Sequence, residues 1–138
     1  MSATAYTQDL TMTLAPEALS VRASRRELGR LLRAVGWAPL GVERAVLAVT
    51  ELVANAVVHG RSDVVVRCQV GERLRLEVTD SAGDAELRTL SATAKDTGGR
   101  GLNIVDTVSR SWGVVRGTGT KTVWCELEPA GEALAATG

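Results

Sequence analysis

The chain reads as an α+β protein, a two-layer sandwich in which a mixed, mostly antiparallel sheet is covered by about three helices. Three observations predict this. Apolar and polar residues alternate in five short runs, apolar residues recur at three and four in three longer ones, and the order is strand, helix, helix, hairpin, helix, hairpin. Repeated strand–helix crossovers, the mark of a doubly wound sheet, are missing from that order. At 138 residues the chain fits one domain, expected over residues 7–128 with flexible ends at 1–6 and 129–138.

In TQDLTMTL, residues 7–14, Leu10, Met12 and Leu14 alternate with polar neighbours, which predicts a half-buried strand ended by Pro16. From Glu17 to Val35 the apolar residues Ala18, Leu19, Val21, Leu28, Leu31, Leu32 and Val35 follow a helical period. Arg22, Arg25, Arg26, Arg30 and Arg33 between them give that helix a basic outer face. Gly36-Trp37-Ala38-Pro39 is a break, and a second helix of about twenty residues follows, closed at His59-Gly60. Residues 62–70 and 73–80 alternate as strands joined at Gly71-Glu72. Between Ser81 and Gly99 apolar residues are sparse and aperiodic, and a connection of that length inside a compact domain is usually functional. GGRGLNIVDTVSR then opens a helix with Leu102, Val105 and Val108 on one face, and WGVVRG and KTVWCEL form two last strands about Thr118-Gly119-Thr120.

Sixteen basic residues balance sixteen acidic ones, so the electrostatic footprint of a nucleic-acid or anionic-membrane binder is absent and neither partner is expected. No apolar run approaches the ~18 residues that cross a bilayer. The N-terminus MSATAYTQDL carries no leader pattern and the cysteines number two, Cys68 and Cys125, which predicts a cytoplasmic protein with reduced, packed thiols.

Three places carry candidate chemistry. From Ala45 to Val58 the second helix is apolar except for Thr50, Glu51 and Asn55. Glu51 and Asn55 stand one turn apart on one face, either meeting solvent or a surface arginine, or lining a cavity as a metal and proton-transfer pair. Gly98-Gly99-Arg100-Gly101 precedes a helix, where glycines and the helix N-terminus suit a phosphate or simply turn a corner. Asp80 ends a strand before Ser81-Ala82-Gly83, as a turn former or as a fixed acceptor at the floor of a pocket.

In this order and spacing the three resemble the ATPase domain family shared by gyrase, the Hsp90 chaperone, histidine kinases and MutL, the GHKL family with its Bergerat nucleotide fold. Within it the chain is most similar to the small bacterial anti-sigma-factor serine kinases. ELVANAVVHG looks like the family's asparagine box, TDSAGD stands at its first glycine box, GGRGLNIV at its second and GTKTVWCEL at its third. The resemblance runs from about Leu10 to Leu127. It implies ATP and Mg2+, with Asn55 as magnesium ligand, Glu51 as general base, and Asp80 with Gly83 at adenine. Gly99, Arg100, Gly101 and Leu102 would lie at the phosphates, under a lid from Asp84 to Gly98. His59 keeps a structural reading at a helix end. The first glycine box has Ala82 where the family prefers glycine, which weakens the expected base contact. In the third box the adenine-side threonine falls on Thr120, Lys121 or Thr122 according to register, with Thr122 named as the site residue.

The function this implies is an ATP-binding regulator, a homodimer that phosphorylates a serine or threonine of an anti-sigma-factor antagonist and holds a sigma factor when the antagonist is unavailable. The alternative is an ATP-dependent protein-binding switch without kinase activity. The catalytic domain of a sensor histidine kinase is disfavoured, since the chain shows no dimerisation helix and its one histidine is His59.

Overall fold

The computed structural model describes residues 8–59, 62–81 and 99–129. In chain order these form β1 (Gln8–Leu14), α1 (Ala18–Ala34), α2 (Pro39–His59), β2 (Val64–Val70), β3 (Leu74–Asp80), α3 (Gly99–Val108), β4 (Ser111–Gly117) and β5 (Thr120–Leu127). The strands make one sheet in the order β1-β2-β3-β5-β4. The expected mixed sheet is antiparallel in all four of these ladders.

Strand alternation divides the sheet into a helix-facing side and an open side. Val64, Val66, Cys68 and Val70 of β2, Leu74, Leu76 and Val78 of β3, and Val123, Cys125 and Leu127 of β5 are buried against the helices. From above come Leu28 and Leu32 of α1, Val42, Ala45, Val49, Leu52, Val53 and Ala56 of α2, and Leu102 and Val105 of α3. Helix α2 is the centre of this layer, packing on α1, α3 and the sheet. It is less enclosed than its sequence predicts, because Leu47 and Val58 look outward.

Helix α1 corrects the sequence reading in its first two turns. Its core row is Ser20, Ser24, Leu28 and Leu32, spaced by four, while Leu19 is 65% exposed. The serines fit there because each hydroxyl donates to a nearby carbonyl, Ser20 to Ala15 at 2.6 Å and Ser24 to Val21 at 2.8 Å, so no buried donor is left unmet. The helix stops in a Schellman motif. Trp37 N–H donates to Leu32 O and Gly36 N–H to Arg33 O, which requires the φ of +91° that glycine tolerates at residue 36. Pro39 then starts α2, at the position where a helix has no use for an N–H.

On the open side Arg75 ties β3 to β5. Its Nε donates to Glu77 at 2.8 Å, its Nη1 to Glu126 at 3.2 Å, and its guanidinium carbon lies 4.5 Å from the centre of the Trp124 ring. Gly113 faces Trp124 across β4 and β5, and a β-carbon there would stand 2.9 Å from the indole nitrogen. Gly113→Ala should therefore cost about 1–3 kcal/mol, the usual size of overpacking against a ring held in place. Urea unfolding would show this as a lower midpoint at constant slope, and an unmoved midpoint would mean that the ring swings clear.

Both cysteines are free and buried beside Leu76 on the helix-facing side. Burial pushes each thiol up to about 12, so neither is a nucleophile near neutral pH. Trp112 and Trp124 serve the sheet. Trp112 Nε1 donates to Asp106 Oδ1 at 2.8 Å, joining β4 to α3, and Trp124 belongs to the open face.

Candidate functional site

Glu51 and Asn55 both lie half-buried on α2, beside the buried row of Ala48, Leu52 and Ala56. Four residues apart in a helix, they form one polar strip on a stretch, Ala45 to Val58, whose one other polar residue is Thr50. The preceding polar residue, Thr50, is absorbed locally, its hydroxyl donating to Val46 O at 2.6 Å. Glu51 and Asn55 have no such local explanation, since neither side chain is a helix cap and both keep access to solvent.

Helix α3 begins at Gly99, so Gly99, Arg100 and Gly101 make its first turn. The N–H groups of a first turn have no acceptor within the helix and point where an anion is favoured. Leu102 is a core residue packed under that turn, 2% exposed, and its side chain belongs to the apolar layer. Glycine at 99 and 101 leaves the approach to this backbone free of β-carbons. Gly83 and the segment from Asp84 to Gly98 lie outside the described residues, as do Gly60 and the side chains of His59 and Arg100.

Asp80 ends β3 on the helix-facing side and is 1% exposed. Directly opposite on β5 stands Lys121, 2% exposed, with Nζ 3.4 Å from Asp80 Oδ2. Thr122 is elsewhere. It pairs with Thr79, their hydroxyls 2.7 Å apart, on the open side of the sheet. The structure thus brings Asp80 together with Lys121 and separates both from Thr122. Of the three residues open at the sequence level, Lys121 is the one beside the carboxylate. The signal was available. Lys121 shares the parity of Val123, Cys125 and Leu127, and Asp80 that of Val78, Leu76 and Leu74, so both belong to the buried alternate set.

Helix α2 is the neighbour that α3 and β3 have in common. The polar strip therefore sits on α2 itself, and the glycine turn and the buried carboxylate sit on two elements that pack against it. In general an amide oxygen can ligate a hard cation, the N–H groups of a helix's first turn can take a phosphate, and a carboxylate can accept a hydrogen bond from a base.

The histidine kinase-like ATPase domain family matches residues 13–126, and the chain belongs to that family. Membership of that family implies ATP binding, generally with magnesium. Among solved structures the chain is similar to the RsbU and RsbW domains of Rv1364c from Mycobacterium tuberculosis, with 22% identity over 88% of this chain and a TM-score of 0.70. That likeness shows the fold, and this chain spans 32% of the other's length. No curated protein matches it in sequence. No helix among the described residues is long and apolar enough to cross a membrane.

Proposed function

We propose that this domain binds magnesium ATP and transfers its terminal phosphoryl group to a serine or threonine of a small antagonist protein, and that it binds a sigma factor when that antagonist is unavailable. The observation that supports this best is the half-buried Glu51 one turn from Asn55, in a domain of the ATPase family. An amide oxygen suits magnesium, which takes few protein ligands and completes its shell with water and phosphate oxygens. The bound ion would neutralise charge on the phosphates. Asn55 would hold it, the first turn of α3 would take the phosphates on its N–H groups, and Asp80 would accept the amine of adenine.

In the transfer itself the attacking hydroxyl oxygen forms a bond to phosphorus, the bond from phosphorus to the bridging oxygen of ADP breaks, and Glu51 takes the hydroxyl proton. Incubation with terminally labelled ATP should label one small protein in an extract of the source cell. Consumption of no ATP and labelling of no protein would favour the alternative, a nucleotide-set binding switch. What supports that alternative is Ala82, which stands where the family prefers glycine in its first glycine box.

The partner surface belongs, in this reading, to α1. Arg22, Arg25, Arg26 and Arg33 line a cleft of about 330 Å³ against Val46 of α2. Among the described residues Glu27 lies within 4 Å of Arg26 and Arg30, at 3.9 and 3.7 Å, and the four arginines give the cleft a positive excess in a chain of zero net charge. Such an excess steers an acidic partner surface. Arg22→Glu with Arg26→Glu should leave ATP binding intact and abolish capture of the partner in a pull-down. Equal capture by the two proteins would return this face to solvent. The domain is further proposed to act in the cytoplasm as a homodimer, for which β1, an edge strand among the described residues, is a candidate surface for a second copy.

A further inference from the structure

We infer that the partner held by α1 presents an acidic segment that carries one bulky apolar side chain, and that a second cavity, between the end of α1 and the start of α2, takes that side chain. This rests on the reading of α1 as the partner surface and goes beyond it to the chemistry of what binds there. The arginine cleft does not end at Arg33. It runs on into a cavity of about 410 Å³ lined by Arg33, Trp37, Pro39, Val42, Glu43 and Val46. Arg33 and Val46 line both, so the two make one groove, cationic along α1 and apolar beyond it.

Stability does not account for the cationic half. Arg22 and Arg26 are four apart on α1, and like charges at that spacing destabilise a helix. Among the described residues no carboxylate lies within 4 Å of Arg22, Arg25 or Arg33. Gly29 is buried inside α1, where glycine is a poorer helix residue than alanine. A β-carbon there would stand 3.1 Å from Arg33 Nη2, so the glycine leaves room for the guanidinium to lie against α1 where the two halves of the groove meet.

The apolar half sets the rest of the chemistry. Trp37 is half-buried and packed on the core, and Val42 is 6% exposed, so both walls are held in place before anything binds. An apolar side chain entering there leaves water without ordering the site, which is how an anchor residue carries much of a binding energy. Glu43 is the one carboxylate in the lining, and it is exposed. It opposes further acidic residues at that end, so the segment has a direction: acids over Arg22 to Arg33, then the anchor, then neutral or basic residues at Glu43. Arg22 and Arg33 are about 16 Å apart along α1 at ~1.5 Å per residue. A helical segment of about twelve residues covers that length with its acids on one face and brings its last turn to the cavity.

The test is selection of random peptides of about twelve residues, displayed on phage, against the whole chain. Counter-selection uses Arg25→Gln with Arg33→Gln, two changes at exposed positions. Enriched sequences should combine a run of acidic residues with Leu, Ile, Met, Phe or Trp at a constant offset to one side of it. In a synthesised member titrated by calorimetry, changing that apolar residue to alanine should weaken binding at least about tenfold, the scale of an interface anchor. Trp37→Ala in the protein should weaken it by a similar factor, and Glu43→Arg should admit acidic residues beyond the anchor. Acidic sequences with no fixed apolar position, or an alanine-substituted peptide that binds equally well, would overturn the inference and leave α1 standing as a surface for acidic partners. Unchanged selection by Glu43→Arg would overturn the placement of the anchor. Should Trp37→Ala fail to fold, the peptide substitution and Glu43→Arg decide. Enrichment of no acidic sequence over the arginine variant would remove the partner reading and this inference together.

Discussion

Glu51→Ala should lower phosphoryl transfer by about 100-fold or more while nucleotide affinity stays within a few fold, the pattern of a lost general base. The split follows from the proposed roles. Glu51 lies a full turn from Asn55 on α2, so with Asn55 at the magnesium the Glu51 carboxylate would meet the attacking hydroxyl rather than the bound nucleotide. Its removal should also leave the fold intact. Glu51 is half-buried, alanine is the best helix former, and the neighbouring core residues Leu52 and Ala48 keep their contacts. The measurement is the single-turnover rate of label transfer at saturating ATP, with calorimetry on the same preparation. Transfer within threefold of wild type would remove Glu51 from the chemistry, and a parallel fall in affinity would make it a binding residue instead.

Asp80→Asn should have two effects of different origin. Lys121 would be left buried beside a neutral amide, and breaking a buried pair by removing one partner costs about 3–5 kcal/mol. That is a large share of the ~5–15 kcal/mol by which a domain is stable. Nucleotide binding should weaken strongly as well, since an amide can turn a donor towards the base where the carboxylate only accepts. Asp80→Asn combined with Lys121→Met separates the two effects. With both charges gone the fold should recover most of its stability, because an apolar replacement for a buried pair is often neutral or better, while affinity stays low. Affinity that recovers along with stability would show that Asp80 serves the fold alone.

Much of this fold is written locally in the chain. The alternation in residues 62–70, 73–80 and 120–127 specifies strands, and it fixes which side of each faces the helices, because a slip of one residue would move every apolar side chain to the open face. The break at Gly36 and Pro39 is legible for the same local reason, φ freedom at one residue and a fixed φ at the other.

What hydropathy misled on was the start of α1. Serine counts as polar, yet Ser20 and Ser24 are buried because their hydroxyls reach backbone carbonyls, and Leu19 gives up its place to them. The polar strip of Glu51 and Asn55 was legible because Thr50 is the one other polar residue between Ala45 and Val58. The meeting of Asp80 with Lys121 was harder. Their shared parity was in the sequence, but that β5 returns to lie between β3 and β4 is a tertiary fact, and only this pairing brings residues forty-one apart to within 3.4 Å.

The central claim is that α2, the first turn of α3 and the end of β3 form one nucleotide site. Titration of the folded wild-type chain with ATP, with and without magnesium, tests it most directly. The account predicts saturable one-to-one binding that tightens when magnesium is present, because Asn55 and the phosphates then share an ion. A chain that circular dichroism shows to be folded, and that takes up no ATP at millimolar nucleotide with magnesium, would contradict it.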